Sequence, residues 1–182
     1  MDIVKYIKQH TENLQNALVE TSPEQRQKLK MTTLGFYFLL PDFEKVISKY
    51  IKIDIDRKQL AADIQQEATK IYQNASEKSN AEIDEYSADY EEPEQIEIFI
   101  LDAFDNAVSD SKYTESLVGL FIGIIDTLDY YESFSEQPEY WNDLLEKEVE
   151  FQNGILTTLK TNGTFDSSIY QNRYEKVEFS EL

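Results

Sequence analysis

The sequence predicts an all-α fold, a single-domain bundle of about seven helices packed around one buried helix at about 114–131. Three observations predict it. Among 182 residues only five are Gly and four are Pro, too few for a turn-rich β-sandwich. Apolar residues recur with helical spacing in most segments. One run, Leu117 to Leu128, is apolar almost all round a helical wheel, as only an interior or membrane helix is. Leu117, Phe121, Ile124, Ile125 and Leu128 form its main stripe, widened by Val118 and Ile122. Spanning hydrocarbon takes roughly 20 apolar residues, so the run belongs in a protein core. Gly119 and Gly123 mark the side where another backbone is expected to approach closely.

The first helix is expected from about 2 to 20, with Ile3, Ile7, Leu14 and Leu18 on one face and His10 among them. Ser22, Pro23 and Gln25 open the second with a capping box. It ends in the apolar run 36–40 ahead of Pro41, which breaks a helix by removing a donor and clashing with the preceding turn. A short third helix follows to about Ile51, and 51–55 reads as an extended connector. Asp56 caps a fourth helix expected to run to about Ala75, with Leu60, Ile64, Ala68 and Ile71 on one face. Residues 77–92 hold seven acids and one lysine, read as a solvated loop or a frayed helix extension. After Pro93, Ile96, Phe99, Ile100, Ala103, Phe104 and Ala107 make a fifth amphipathic helix to about Val108. The central helix is the sixth. Pro138 begins the seventh, whose apolar face carries Trp141, Leu144, Leu145, Val149, Ile155, Leu156 and Leu159, and Asn162-Gly163 reads as its stop. The helical domain is therefore 1–162. Residues 163–182 read as a C-terminal tail, polar with scattered aromatics, packed on the domain or trailing from it.

Composition bounds the function. Thirty-six acids against 17 bases give a net charge of −19. Such a chain lacks the cations that displace phosphate counterions, so nucleic acid and anionic membrane are not expected partners. A basic protein or a second copy of the chain is. The absence of cysteine removes thiol chemistry and suits the cytoplasm, and the N-terminus shows no signal-peptide pattern. No phosphate-binding glycine loop, nucleophile elbow, zinc motif or EF-hand loop is present, so no catalytic, cofactor-binding or metal residue is assigned and no cofactor is expected.

The candidates are few. Glu148 and Gln152 project from the middle of the seventh helix's apolar face, where a carboxylate must find a donor, lose its charge or line a wet cleft. Structural pairing is the simpler expectation, with Glu148 buried and bonded to a side chain from another helix. His10 is the lone histidine; core or interface packing is the simpler reading, a base or metal ligand the other. Asp102 with Asp105, and Asp126 with Asp129, read as solvated helix surface. A partner surface is expected from Glu82, Asp84, Glu85, Tyr86, Asp89 and Tyr90 in the acidic segment, with Glu139, Asp143, Glu146 and Glu150 on the polar face of the seventh helix.

Leu40-Pro-Asp-Phe43, then Leu101-Asp-Ala103, then Glu148-x-Glu-Phe-Gln152-x-x-Ile-Leu-x-x-Leu159, resemble the YjaG-like family of uncharacterised bacterial proteins over roughly 30–160. The resemblance implies an all-α single domain and a bacterial source, and no activity. The expectation is a cytoplasmic, non-enzymatic interaction protein, self-associating or gripping a basic protein, one version being an immunity-type protein masking a basic toxin. The alternative is an enzyme using carboxylates, Glu148 with His10 or with a divalent ion.

Overall fold

A computed structural model describes residues 3–110, 113–161 and 163–180. It is all-helical, with no strand among the described residues. The order is α1 (Ile3–Val19), α2 (Pro23–Tyr37), α3 (Phe43–Ile51), α4 (Arg57–Gln65), α5 (Lys70–Glu82), α6 (Gln95–Val108), α7 (Thr114–Phe134), α8 (Pro138–Lys160) and α9 (Ile169–Tyr174). The described residues thus form nine helices where the sequence predicts about seven. The start expected at Asp2 and the stop at Asn162 lie outside the described residues.

α7 is the hub. Leu120, Phe121, Ile124, Ile125, Leu128 and Tyr131 are fully buried, and α1, α2, α6 and α8 all pack on it. Its glycines serve differently from the expectation. What comes close at Gly119 is the Asn106 amide of α6, and at Gly123 the Tyr37 hydroxyl of α2, which donates to the Leu120 carbonyl at 2.6 Å. Side chains, not backbones, fill the space. The close backbone approach is at Gly35, where an added Cβ would stand 3.1 Å from the backbone nitrogen of Gln171 in α9.

Local signals set several boundaries. The Ser22 hydroxyl accepts from the Gln25 amide while the Gln25 side chain accepts from the Ser22 amide, closing the capping box. The Asp56 carboxylate caps α4 through the Gln59 amide at 2.8 Å. α2 stops at Tyr37, and the chain turns through Asp42 in the left-handed region at φ 56° before α3.

Two expectations need correction. The fourth helix is not continuous to Ala75. It breaks after Gln65, with Glu67 in the left-handed region at φ 57°, and restarts at Lys70. No Gly or Pro marks the break. Tertiary bonds hold it: the Gln27 amide caps the Ile64 carbonyl, and the Tyr72 hydroxyl reaches back to Asp63 at 2.6 Å. The break turns Tyr72, Ser76 and Ser79 inward, leaving Ala68 exposed and Ile71 60% exposed. The second correction is the tail, which contains a helix. Tyr170 and Tyr174 of α9 are buried against the core. Phe179 joins Phe36, Tyr131, Trp141 and Tyr174 in an aromatic cluster, and the Tyr131 hydroxyl donates to the Ser180 carbonyl at 2.8 Å.

Candidate functional site

Glu148 sits one turn before Gln152 on α8, facing inward, and both are fully buried. A carboxylate there loses its hydration and must be compensated by donors. The Tyr170 hydroxyl donates to one oxygen at 2.6 Å and the Tyr174 hydroxyl to the other at 2.7 Å. The Gln152 amide donates at 2.9 Å, and the Arg173 guanidinium lies 3.5 Å away. Arg173 is itself fixed by lying 4.0 Å above the Phe151 ring. Desolvation pushes the Glu148 carboxyl above its usual range, and Tyr170, Tyr174, Gln152 and Arg173 pull it back. Only donors face it, so the surroundings match the ionised form.

The network continues to α1. The Gln152 nitrogen donates also to the Phe121 carbonyl at 2.8 Å, which leaves its oxygen to accept from His10 Nε2 at 2.8 Å. That order fixes His10 as the Nε2–H tautomer. Its Nδ1 is buried without a hydrogen-bond partner among the described residues, as is the hydroxyl of Tyr6. The two rings stack at 5.0 Å. Desolvation holds the His10 pKa below its usual value, against an upward pull from Gln152. His10 and the Glu148–Gln152 pair thus form one chain across α1, α8 and α9. Tyr170, Tyr174 and Arg173 were missed. The sequence carries one partial signal of them: Tyr170 and Tyr174 are four apart, which puts both hydroxyls on one helix face but does not name Glu148 as their partner.

The acidic segment divides between the two structures expected of it. Residues 77–82 belong to α5, and 83–93 form a loop. With α3 and the start of α6 this loop encloses a cleft of about 780 Å³. Glu82, Asp84, Asp89 and Tyr90 line it, with Glu91, Glu92, Glu94 and Glu97, so seven acids face two lysines. Lys49 of α3 pairs with Glu91 of the loop, and Lys52, just past α3, pairs with Glu82 at the end of α5, each at 2.9 Å. Glu85 and Tyr86 are exposed but do not line the cleft; Tyr86 is 97% exposed. Glu139, Asp143, Glu146 and Glu150 are exposed on α8 and contribute nothing to the cleft lining. α8 packs on α7 and α1, so the two acidic groups make two surfaces.

Asp105 and Asp126 are half-buried rather than solvated, and Asp105 accepts from the Ser76 hydroxyl at 2.6 Å. Desolvation, aided by Asp129, raises the Asp126 carboxyl to about 6. A carboxyl with a raised folded pKa penalises folding wherever it is charged, and the penalty vanishes below the unfolded pKa. Asp126→Asn should therefore stabilise the protein by about 1 kcal/mol near pH 8, the shift being discounted for residual solvent. The gain should disappear below about pH 4. Urea unfolding at both pH values checks this.

Among the described residues, no group of three or more His, Cys, Asp or Glu side chains is placed to hold a metal ion, and no helix is long and apolar enough to cross a membrane. No protein-family model matches the chain, and no curated protein or solved structure is similar to it.

Proposed function

We propose that the chain is a one-domain, non-enzymatic interaction protein whose acidic cleft receives a basic segment of a partner protein. The observation that supports this is the concentration of seven acids against two lysines around a cleft of about 780 Å³. Both lysines are occupied by acids of the same cleft, so the remaining acids present an uncompensated field to a cationic side chain. Tyr90 adds a half-exposed ring at the wall and Tyr86 a free one beside it, the side-chain type enriched at interface centres. A toxin with a basic surface, masked in immunity fashion, is one such partner. A cytoplasmic setting is proposed from the lack of cysteine. Kinship with the YjaG-like family is proposed from the quoted motifs alone.

The enzymatic alternative built on Glu148 and His10 draws less support from the geometry. Glu148 is fully buried, its oxygens are occupied by the chain's own donors, and it does not line the acidic cleft. A substrate would have to displace the tyrosines first.

Calorimetric titration with a lysine-rich peptide tests the cleft. The peptide should bind, weaken several-fold between low and physiological salt as screening shortens the reach of the field, and lose affinity in the triple variant Asp84→Lys, Asp89→Lys, Glu92→Lys. Triple reversal at Glu139, Glu146 and Glu150 should leave affinity nearly unchanged. Equal losses in both variants would mean that only net charge matters and would overturn the cleft.

A further inference from the structure

A second cavity, of about 270 Å³, lies between α2, the turn joining α4 to α5, and the end of α6. Its floor is buried: Lys30 is 3% exposed, and Ile64 and Thr69 lie beside it. Its rim is open, with Glu67, Lys70 and Asp110 exposed. The Lys30 ammonium is positioned by the Ser109 carbonyl, to which it donates at 2.7 Å. The Gln73 side chain, which lines the wall, is held by the Val108 carbonyl at 2.6 Å. Lys30 thus lines an open cavity as well as tying α2 to the end of α6.

We propose that this cavity is a reactive-amine site, in which Lys30 condenses with a small uncharged aldehyde or ketone to form an imine. The volume is below that of a drug-sized ligand site and suits a carbonyl compound of a few carbons. The charges favour this chemistry over the other reactions of a buried amine. Glu67 and Asp110 line the cavity, so a carbamate or a bound phosphate would place negative charge between carboxylates. A protonated imine keeps a single positive charge where the ammonium already holds one. Burial also lowers the Lys30 pKa to about 8 against the upward pull of Glu67 and Asp110, and a desolvated lysine is the form used in Schiff-base chemistry.

The step balances without redox. The neutral Nζ lone pair attacks the carbonyl carbon and forms the C–N bond. The π pair moves to oxygen, which takes up a proton, giving a carbinolamine. The nitrogen loses a proton, the hydroxyl takes up a second proton and leaves as water, and the nitrogen lone pair forms the C=N bond, so that neutral amine, carbonyl and one proton yield the protonated imine and water.

The test is reductive labelling of the intact protein with propanal and cyanoborohydride, mapped by peptide mass spectrometry. At neutral pH Lys30 should label at least about tenfold faster than the exposed Lys45 and Lys78, because a larger fraction of it is neutral. Its rate should rise through about pH 8 and then level. Asp110→Asn and Glu67→Gln each remove an upward pull on the Lys30 pKa, so each should speed labelling at Lys30 several-fold at neutral pH and leave Lys45 unchanged. Lys30 labelling at or below the rate of Lys45 and Lys78 in the native protein, or only in urea, would show a purely structural lysine and overturn the proposal.

Discussion

Glu148→Ala should cost about 4 kcal/mol of stability, a large fraction of what a domain of this size possesses. The loss has three sources. The hydroxyls of Tyr170 and Tyr174 lose their acceptor in a buried place, at about 1–3 kcal/mol for each unsatisfied group. The Gln152 amide loses one of its two acceptors. A cavity opens where the side chain was, between α7, α8 and α9. Part of this is recovered because the same carboxylate no longer has to be desolvated. Thermal unfolding should shift down by roughly 8–16 °C. Glu148→Gln keeps the volume and one acceptor oxygen, and the tyrosine hydroxyls can turn to accept from its amide, so it should cost only about 1–2 kcal/mol. Calorimetry of both variants checks the ordering.

Tyr170→Phe with Tyr174→Phe should be nearly as damaging, for the opposite reason. The rings stay and the packing is kept, but the carboxylate loses two charge-assisted bonds, each worth about 1.5–3 kcal/mol. The pair acts on one group, so the single variants should not sum to the double; we expect about 3–4 kcal/mol for the double. The damage should also be local. α9 is six residues long and has no stability of its own. With its anchors gone, trypsin should cut at Arg173 in the double variant under conditions that leave the wild type intact there. Unchanged cleavage at Arg173 would mean that ring packing alone holds the segment.

The pH dependence of stability follows from opposite signs. His10 has a folded pKa below its unfolded value, so its contribution is intact above about pH 6.5 and is lost as pH falls below it. Asp126 and Glu148 have raised folded pKa values, so theirs grow as pH falls through the range between folded and unfolded values.

Much of the fold could be read along the chain because its signals are local. Ser22 and Gln25 declare a capping box in four residues, Asp56 declares a cap, and the 117–128 run declares its burial by having no polar side. The hidden parts depend on distant partners. The break at 66–69 has no Gly or Pro, and its stabilising bonds come from Gln27 on α2 and Tyr72 on α5. The burial of α9 depends on Glu148, since a polar stretch with two tyrosines has no apolar stripe to announce it. Glu148 and Gln152 stood out because a polar pair on an apolar face demands partners. Which partners was not legible, because the tyrosines reach them only after the chain reverses beyond Gly163. The acidic segment showed its charge but not its concavity, which α3 supplies from more than thirty residues upstream.

Hydrogen–deuterium exchange on the intact protein at neutral pH tests the central claim, that the C-terminal helix is a structural part of the core closed over a buried carboxylate. Backbone amides of 171–174 should exchange orders of magnitude more slowly than those of the 83–93 loop, and should speed up selectively in Glu148→Ala. Amides of α9 exchanging as fast as the loop in the wild type, while α7 stays protected, would contradict it.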